Sequence, residues 1–164
     1  MAIPGFDIAG FLAERGRPAS VAAVTRGGRP ALATMWYAFW EEKFWFHTTS
    51  RKPIESPFLV AAGQGGDISV MVASFAPPDD VRQLRATGPA QLEPADIGRV
   101  RSLYLRYVDG WSELWEQQAS SPDYRLWSMT PERGMAVAYP ELRGAAEYRW
   151  SQLEDIRDFM SVSG

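Results

Sequence analysis

The sequence of 164 residues predicts a mainly β protein, an antiparallel barrel with short helices attached. Three observations carry this prediction. Short segments of β-branched, aromatic and small residues recur along the chain. They are separated by turn signals such as "RGGR", "EEK" and "FAPPDD". The runs with helical spacing are brief and bounded by Asp, Pro or Gly.

The elements follow in order. Asp7 precedes "IAGFLAER" as an N-cap, and Gly16, Arg17 and Pro18 end that helix. "ASVAAVT" (19–25) reads as a strand, "RGGR" as a turn and "PALATMWYAFW" (30–40) as the partner strand. "EEK" turns the chain again, and "FWFHTT" (44–49) completes a three-stranded meander. Pro53 and Pro57 limit "PIESPFLVAAGQGG" to a short helix ending at its glycines. "DISVMVAS" (67–74) and "VRQLRATGPAQL" (81–92) are further strands. In the second of these, Val81, Gln83, Arg85 and Thr87 share one face. Ile97, Val100, Leu103, Tyr104 and Tyr107 recur at helical spacing after Pro94, and "WSELWEQQAS" adds another helix. "YRLWSMTP" (124–131) and "AEYRW" (146–150) read as late strands. The tail is weakly amphipathic through Leu153, Ile156, Phe159 and Met160. No repeat or second domain is visible, so residues 1–164 form one domain with a core at 19–150 and a tail at 151–164.

Composition narrows the function. With 46% hydrophobic residues the chain can build a core, and a net charge of -3 offers no global field for nucleic acid or an anionic membrane. The absence of cysteine excludes disulfides, thiolate nucleophiles and zinc–sulfur sites, and one histidine excludes a multi-imidazole site within one chain. The N-terminus lacks the basic start and apolar run of a signal peptide, and no apolar run reaches membrane-spanning length. A cytoplasmic protein is the expectation. Seven Trp suit an aromatic core and subunit interface. The cluster Trp36, Tyr37, Trp40 and Trp45 also suits a pocket for a flat conjugated ligand.

One stretch concentrates candidate chemistry. "FWFHTTSRKP" (44–53) begins as a buried strand and ends in Thr48, Thr49, Ser50, Arg51 and Lys52. Alternation puts Phe44, Phe46, Thr48 and Ser50 on one face and Trp45, His47 and Thr49 on the other. On composition alone the end is a solvated turn. Hydroxyl donors beside two cations also suit a phosphate, since one charge pair at about 4 Å gives roughly 4 kcal/mol at an effective dielectric near 20. Glu41-Glu42 and Asp79-Asp80 are turn charges. "GQGGD" is not a dinucleotide fingerprint, because no strand–turn–helix of the right spacing surrounds it. His47 is expected to be structural, with its ring packed and one nitrogen hydrogen-bonded.

"GRPALATMWYAFWEEKFWFHTTSRK", "DISVMV" and "VRQLRATGPAQL" together resemble the pyridoxamine 5'-phosphate oxidase-like split-barrel family of flavin-binding proteins. The resemblance covers residues 19 to 92 well and the rest in layout. It implies a six-stranded antiparallel split β-barrel with short α-helices, paired as a homodimer with flavin mononucleotide (FMN) at the interface. It implies that Arg51 and Lys52 take the phosphate, with Thr48, Thr49 and Ser50 donating to it. Thr34, Met35, Trp36 and Tyr37 would run along the ring, and a partner-chain aromatic such as Trp127 or Trp150 would complete the site.

The chain departs from the vitamin-phosphate oxidases. It has "ATMWYAFW" where they carry a basic "R-x-V-L-L-K"-type strand, and it lacks their C-terminal substrate-binding segment. The resemblance therefore implies an FMN-dependent oxidoreductase acting on another small molecule. The alternatives are a reductase using coenzyme F-420 and a non-catalytic flavin- or haem-binding protein.

Overall fold

Residue alternation along the strands builds the barrel. The computed structural model describes residues 6–53, 55–139 and 146–160. In β1 (Ala19–Val24), Ala19, Val21 and Ala23 are buried while Ser20, Ala22 and Val24 face out. β2 (Pro30–Met35) packs Ala31, Ala33 and Met35 against the same core and leaves Leu32 and Thr34 exposed. β5 (Asp67–Ala76) points Ile68, Val70 and Val72 inward, and β6 (Asp80–Leu92) adds Leu84, Ala86 and Ala90. Small inward residues on these strands leave room for Phe44, Phe46, Tyr37 and Trp127 from across the barrel.

All pairings are antiparallel, in the order β2-β1-β5-β6-β7-β4-β3, where β3 is Ala38–Trp40, β4 is Lys43–Thr49 and β7 is Tyr124–Met129. β6 belongs to both halves. Its residues 82–87 pair with β8 (Arg133–Ala138), which pairs in turn with β9 (Ala146–Trp150), and its residues 90–92 pair with β7. The protein is thus mainly β with short helices, an antiparallel split barrel. Nine strands are present among the described residues. The segment predicted as one strand over 30–40 is two, because the chain bends at Trp36 and Tyr37. β8 was not anticipated: "RGMAVA" follows β7 too closely and reads as small residues without alternation.

Helices close the ends. α1 (Ile8–Ala13) is capped by Asp7, which accepts from the Gly10 amide, and it buries Ile8, Phe11 and Leu12. Arg82 joins it to the barrel, pairing with Glu14 and Asp80 at 2.7 Å each and lying over the Phe11 ring. Arg106 donates to the carbonyls of Tyr37, Leu12, Ala13 and Glu14. α2 (Pro57–Gln64) starts at Ser56 and ends at Gly65, whose left-handed backbone suits glycine. It inserts Phe58 over Trp127, which stacks on Phe46 at 4.5 Å.

A second apolar layer lies outside the barrel. α3 (Ile97–Tyr104) and α4 (Glu113–Ser120) cover the outer face of β3, β4 and β7. Val100, Leu103, Tyr104 and Ala119 pack there on Ala38, Trp45 and Leu126, with Trp36, Trp40, Tyr107, Trp111 and Trp115 around them. β4 is therefore buried on both faces, which explains "FWF". The tail forms α5 (Leu153–Met160), with Ile156 buried. The amphipathic role expected of Phe159 and Met160 lies outside the described side chains.

The turn of β6 from one half to the other depends on Gly88. A Cβ there would overlap the Thr130 carbonyl oxygen, and backbone cannot yield as a side chain can. Gly88→Ala is expected to cost about 1–3 kcal/mol in urea denaturation. Gly110→Ala, where nothing lies within 4 Å, should stay within about 0.5 kcal/mol of wild type.

Candidate functional site

The end of β4 meets the β1–β2 turn and α2 around a cavity of about 550 Å³. Arg26, Ser50, Lys52, Glu55, Ser56 and Gln64 supply its polar groups, and Pro53, Leu59, Val60 and Gly63 supply the rest of its wall. Arg26 holds Glu55 through two hydrogen bonds, of 3.0 and 3.1 Å. The hydrogen bond from Arg26 lowers the Glu55 carboxyl below its ordinary value. The charges of Arg26 and Lys52 add to this, against a smaller opposing effect of desolvation. Lys52 is exposed and makes no hydrogen bond or ion pair within the described residues. One carboxylate faces two cations, so the cavity carries an excess of one positive charge.

The predicted site residues separate into groups. Ser50 and Lys52 line the cavity, and the Ser50 hydroxyl donates to the Asp123 carbonyl at 3.0 Å, leaving its oxygen open as an acceptor. Arg51 turns aside and pairs with Asp123 at 3.3 Å. Thr49 is exposed and accepts from the Arg51 amide. Thr48 points into the barrel, where its oxygen accepts from the Trp127 indole at 2.8 Å and lies 3.9 Å from the Met35 sulfur. Met35 and Thr48 thus meet across the split between β2 and β4. Thr34 is exposed on the outer face, opposite Ser20.

The bend turns Tyr37 into the barrel and Trp36 into the outer apolar layer. Tyr37 is fully buried, and its hydroxyl donates to the Leu12 carbonyl. Desolvation pushes its ionisation far above the ordinary phenol value. Trp36 stacks on Tyr107 at 4.9 Å. The expected ligand pocket of Trp36, Tyr37, Trp40 and Trp45 is instead packed protein: Tyr37 belongs to the barrel core and the three tryptophans to the second apolar layer. Trp127 has no exposed surface from which to complete a partner's site. Trp150 is also buried, its indole donating to the Pro131 carbonyl.

Sequence reasoning missed Arg26, which was read only as part of a turn. It also missed a broad concavity of about 800 Å³ on the outer face of β1, β5, β6 and β8. Arg85, Arg133 and Arg149 line that concavity around the hydrogen-bonded hydroxyls of Ser69 and Thr87, with Leu32 at its edge. The alternation Val81, Gln83, Arg85, Thr87 marked this face. The distant arginines of β8 and β9 could be added to it only by the pairing. No helix among the described residues is long and apolar enough to cross a membrane.

No family model and no curated protein matches the sequence. Similar solved structures include HutZ, a heme storage protein from Vibrio cholerae, with 17% identity over 88% of this chain and 100% of that one and a TM-score of 0.63. An F420 reductase shares 22% identity over 73% of this chain and 90% of that one, with a TM-score of 0.53. A protein of the pyridoxinephosphate oxidase family from Clostridium acetobutylicum shares 17% over 82% and 86%, with a TM-score of 0.50. The chain has the pyridoxamine 5'-phosphate oxidase-like fold. At these identities the likeness carries the fold and not the ligand.

His47 has the packing and the hydrogen bond expected of it. Its Nδ1 lies 2.8 Å from the Tyr104 hydroxyl, and its ring stacks on Tyr124 at 5.2 Å. Desolvation pulls its pKa from 6.5 down to about 4. Between those values the unfolded chain takes up a proton that the folded chain refuses, so stability rises with pH across that window and falls on acidification. His47→Gln should remove this component of the pH dependence and cost on the order of 1 kcal/mol at neutral pH. Denaturant titrations of both proteins from neutral to acidic pH check this, and parallel curves would contradict it.

Proposed function

We propose that the chain is an FMN-binding oxidoreductase whose cofactor phosphate sits in the cavity at the end of β4. The observation that supports this best is Lys52, a cation without an ion-pair partner among the described residues, beside the Ser50 hydroxyl and Arg26. A phosphate offers Lys52 an acceptor that the described residues do not supply, and Ser50 would donate to it by exchanging the Asp123 carbonyl. Arg26 can share its guanidinium between Glu55 and the ligand. Arg51 lies next to this cavity and would reach it by exchanging Asp123 for the phosphate.

The ring would lie along the split between β2 and β4, where Met35 meets Thr48 and Thr49 is exposed, while Thr34 faces outward on β2. The side chains of Trp36 and Tyr37 would not touch the ring, since Tyr37 is packed in the barrel core and Trp36 in the outer layer. Thr48, held by Trp127, supports the wall from within. A bound flavin supplies the hydride or electron transfer, so the chain needs no acid–base dyad of its own. The protein's part is to orient the ring and to exclude water.

A second copy of the chain would complete the site. Leu32 is 77% exposed and Phe75 81% exposed, on strands bordering the concavity, which is an apolar surface suited to a partner. Coenzyme F-420 is the second reading. The cavity runs along α2 from Ser56 to Gln64, about 12 Å of helix, which offers room for a longer anionic tail than one phosphate.

The absorption spectrum of freshly purified protein distinguishes flavin, deazaflavin and haem. Lys52→Ala is expected to weaken FMN binding at least about tenfold, the equivalent of one charge-assisted contact. The unfolding midpoint should hardly move, since an exposed cation contributes little to stability. Unchanged FMN affinity in the Arg51→Ala, Lys52→Ala double variant would remove the assignment. Sedimentation as a monomer at micromolar concentration would remove the two-chain site.

A further inference from the structure

Glu55 is the one carboxylate among the described residues that line the cavity at the end of β4. Its two oxygens accept from Nε and Nη2 of Arg26 at 3.0 and 3.1 Å, a fork of two parallel hydrogen bonds. A guanidinium takes two oxygens of a phosphate by the same kind of fork. We propose that Glu55 is a specificity-determining residue of this cavity, a tethered carboxylate that competes with the cofactor's phosphate for Arg26 and weakens the site's hold on it. This inference rests on the reading of the cavity as a phosphate site.

The placement of the pair suits this role better than a structural one. Arg26 stands in the turn between β1 and β2, and Glu55 in the loop between β4 and α2. Their side chains are 61% and 59% exposed, and an ion pair this exposed contributes little to folding. No other hydrogen bond or ion pair of either side chain occurs among the described residues. The next residue, Ser56, accepts from the Leu59 amide and caps α2, so the backbone beside Glu55 is anchored at the cavity. The carboxylate can turn away from Arg26 but stays within reach of it. Arg51 and Asp123 form a looser pair, a single contact of 3.3 Å, and Asp123 does not line the cavity.

The hydrogen bond from Arg26, aided by the charges of Arg26 and Lys52, keeps Glu55 ionised at neutral pH. An incoming phosphate meets that charge in one of two ways. It takes the Nε–Nη2 edge of Arg26, and Glu55 turns to solvent and loses its partner. Or it takes the guanidinium N–H groups that Glu55 leaves open, and two anions then share one cation. In both cases the carboxylate opposes the phosphate, so the sign of its effect is fixed. A ligand with the same ring and no phosphate does not contend for Arg26 and is indifferent to Glu55. Glu55 therefore narrows the preference of the site for the phosphorylated form of its ligand.

FMN and riboflavin make the test direct, because they carry the same ring and ribityl chain and differ by the phosphate. Flavin fluorescence titrations compare the wild type, Glu55→Gln, Arg26→Ala and the double variant with both ligands. Glutamine keeps the length of the side chain and one acceptor for Arg26 and removes the charge. Glu55→Gln should bind FMN about tenfold more tightly and riboflavin as the wild type does. In the Arg26→Ala background the same substitution should gain less than about threefold, because the contested guanidinium is gone. Unfolding midpoints should hardly move in any of the variants. Three results would overturn the inference while the wild type still prefers FMN to riboflavin: unchanged or weaker FMN binding by Glu55→Gln, a gain as large for riboflavin as for FMN, or the same gain in both backgrounds. Each leaves the phosphate site standing. Equal binding of FMN and riboflavin by the wild type would remove the phosphate site, and the role of Glu55 with it.

Discussion

The burial of β4 on both faces is the constraint on which the rest of the structure depends. A strand that covers the inside of a barrel with Phe44 and Phe46 and the outside with Trp45 cannot be a surface element. It requires a second layer, and α3 and α4 supply it. It also requires that the polar groups within the strand, on His47 and Thr48, be hydrogen-bonded, and the strand is exposed only at Thr49, where both layers end. One cavity lies at the end of this strand and another beside His47 on its outer face.

Alternation made most of the barrel legible in the sequence, because hydrophobic side chains on one face of a strand leave a period of two. β1 and β5 show this plainly and β6 in part, and the cap Asp7 and the glycines after Gln64 mark their helices. What was not legible was non-local. The break between β2 and β3 is invisible in "MWYAFW", where every residue is apolar and each direction is equally plausible. β8 hides in small residues whose burial depends on Trp150 packing against Gly134, a contact between distant segments.

The candidate site shows the same division. Ser50 and Lys52 were found because hydroxyls and cations stand together in the chain. Arg26 was missed because its partner Glu55 comes from another loop and only the fold joins them. Arg51 and Lys52 are adjacent in sequence but face different neighbours, and Thr48 is satisfied inside the barrel by a tryptophan. Residue type locates a chemistry along the chain. Which groups are still free to perform it depends on the hydrogen bonds the fold has already used.

Arg106 has a consequence for how the molecule opens. Its guanidinium grips carbonyl oxygens at Leu12, Ala13, Glu14 and Tyr37 rather than a carboxylate. Backbone oxygens do not titrate, and dipoles are screened by salt less than an exposed ion pair is. The clamp also joins three segments far apart in the chain, so α1 cannot peel away while the β2–β3 bend stays seated. Hydrogen exchange at these places should therefore be lost together, as one cooperative unit rather than by fraying from the N-terminal end.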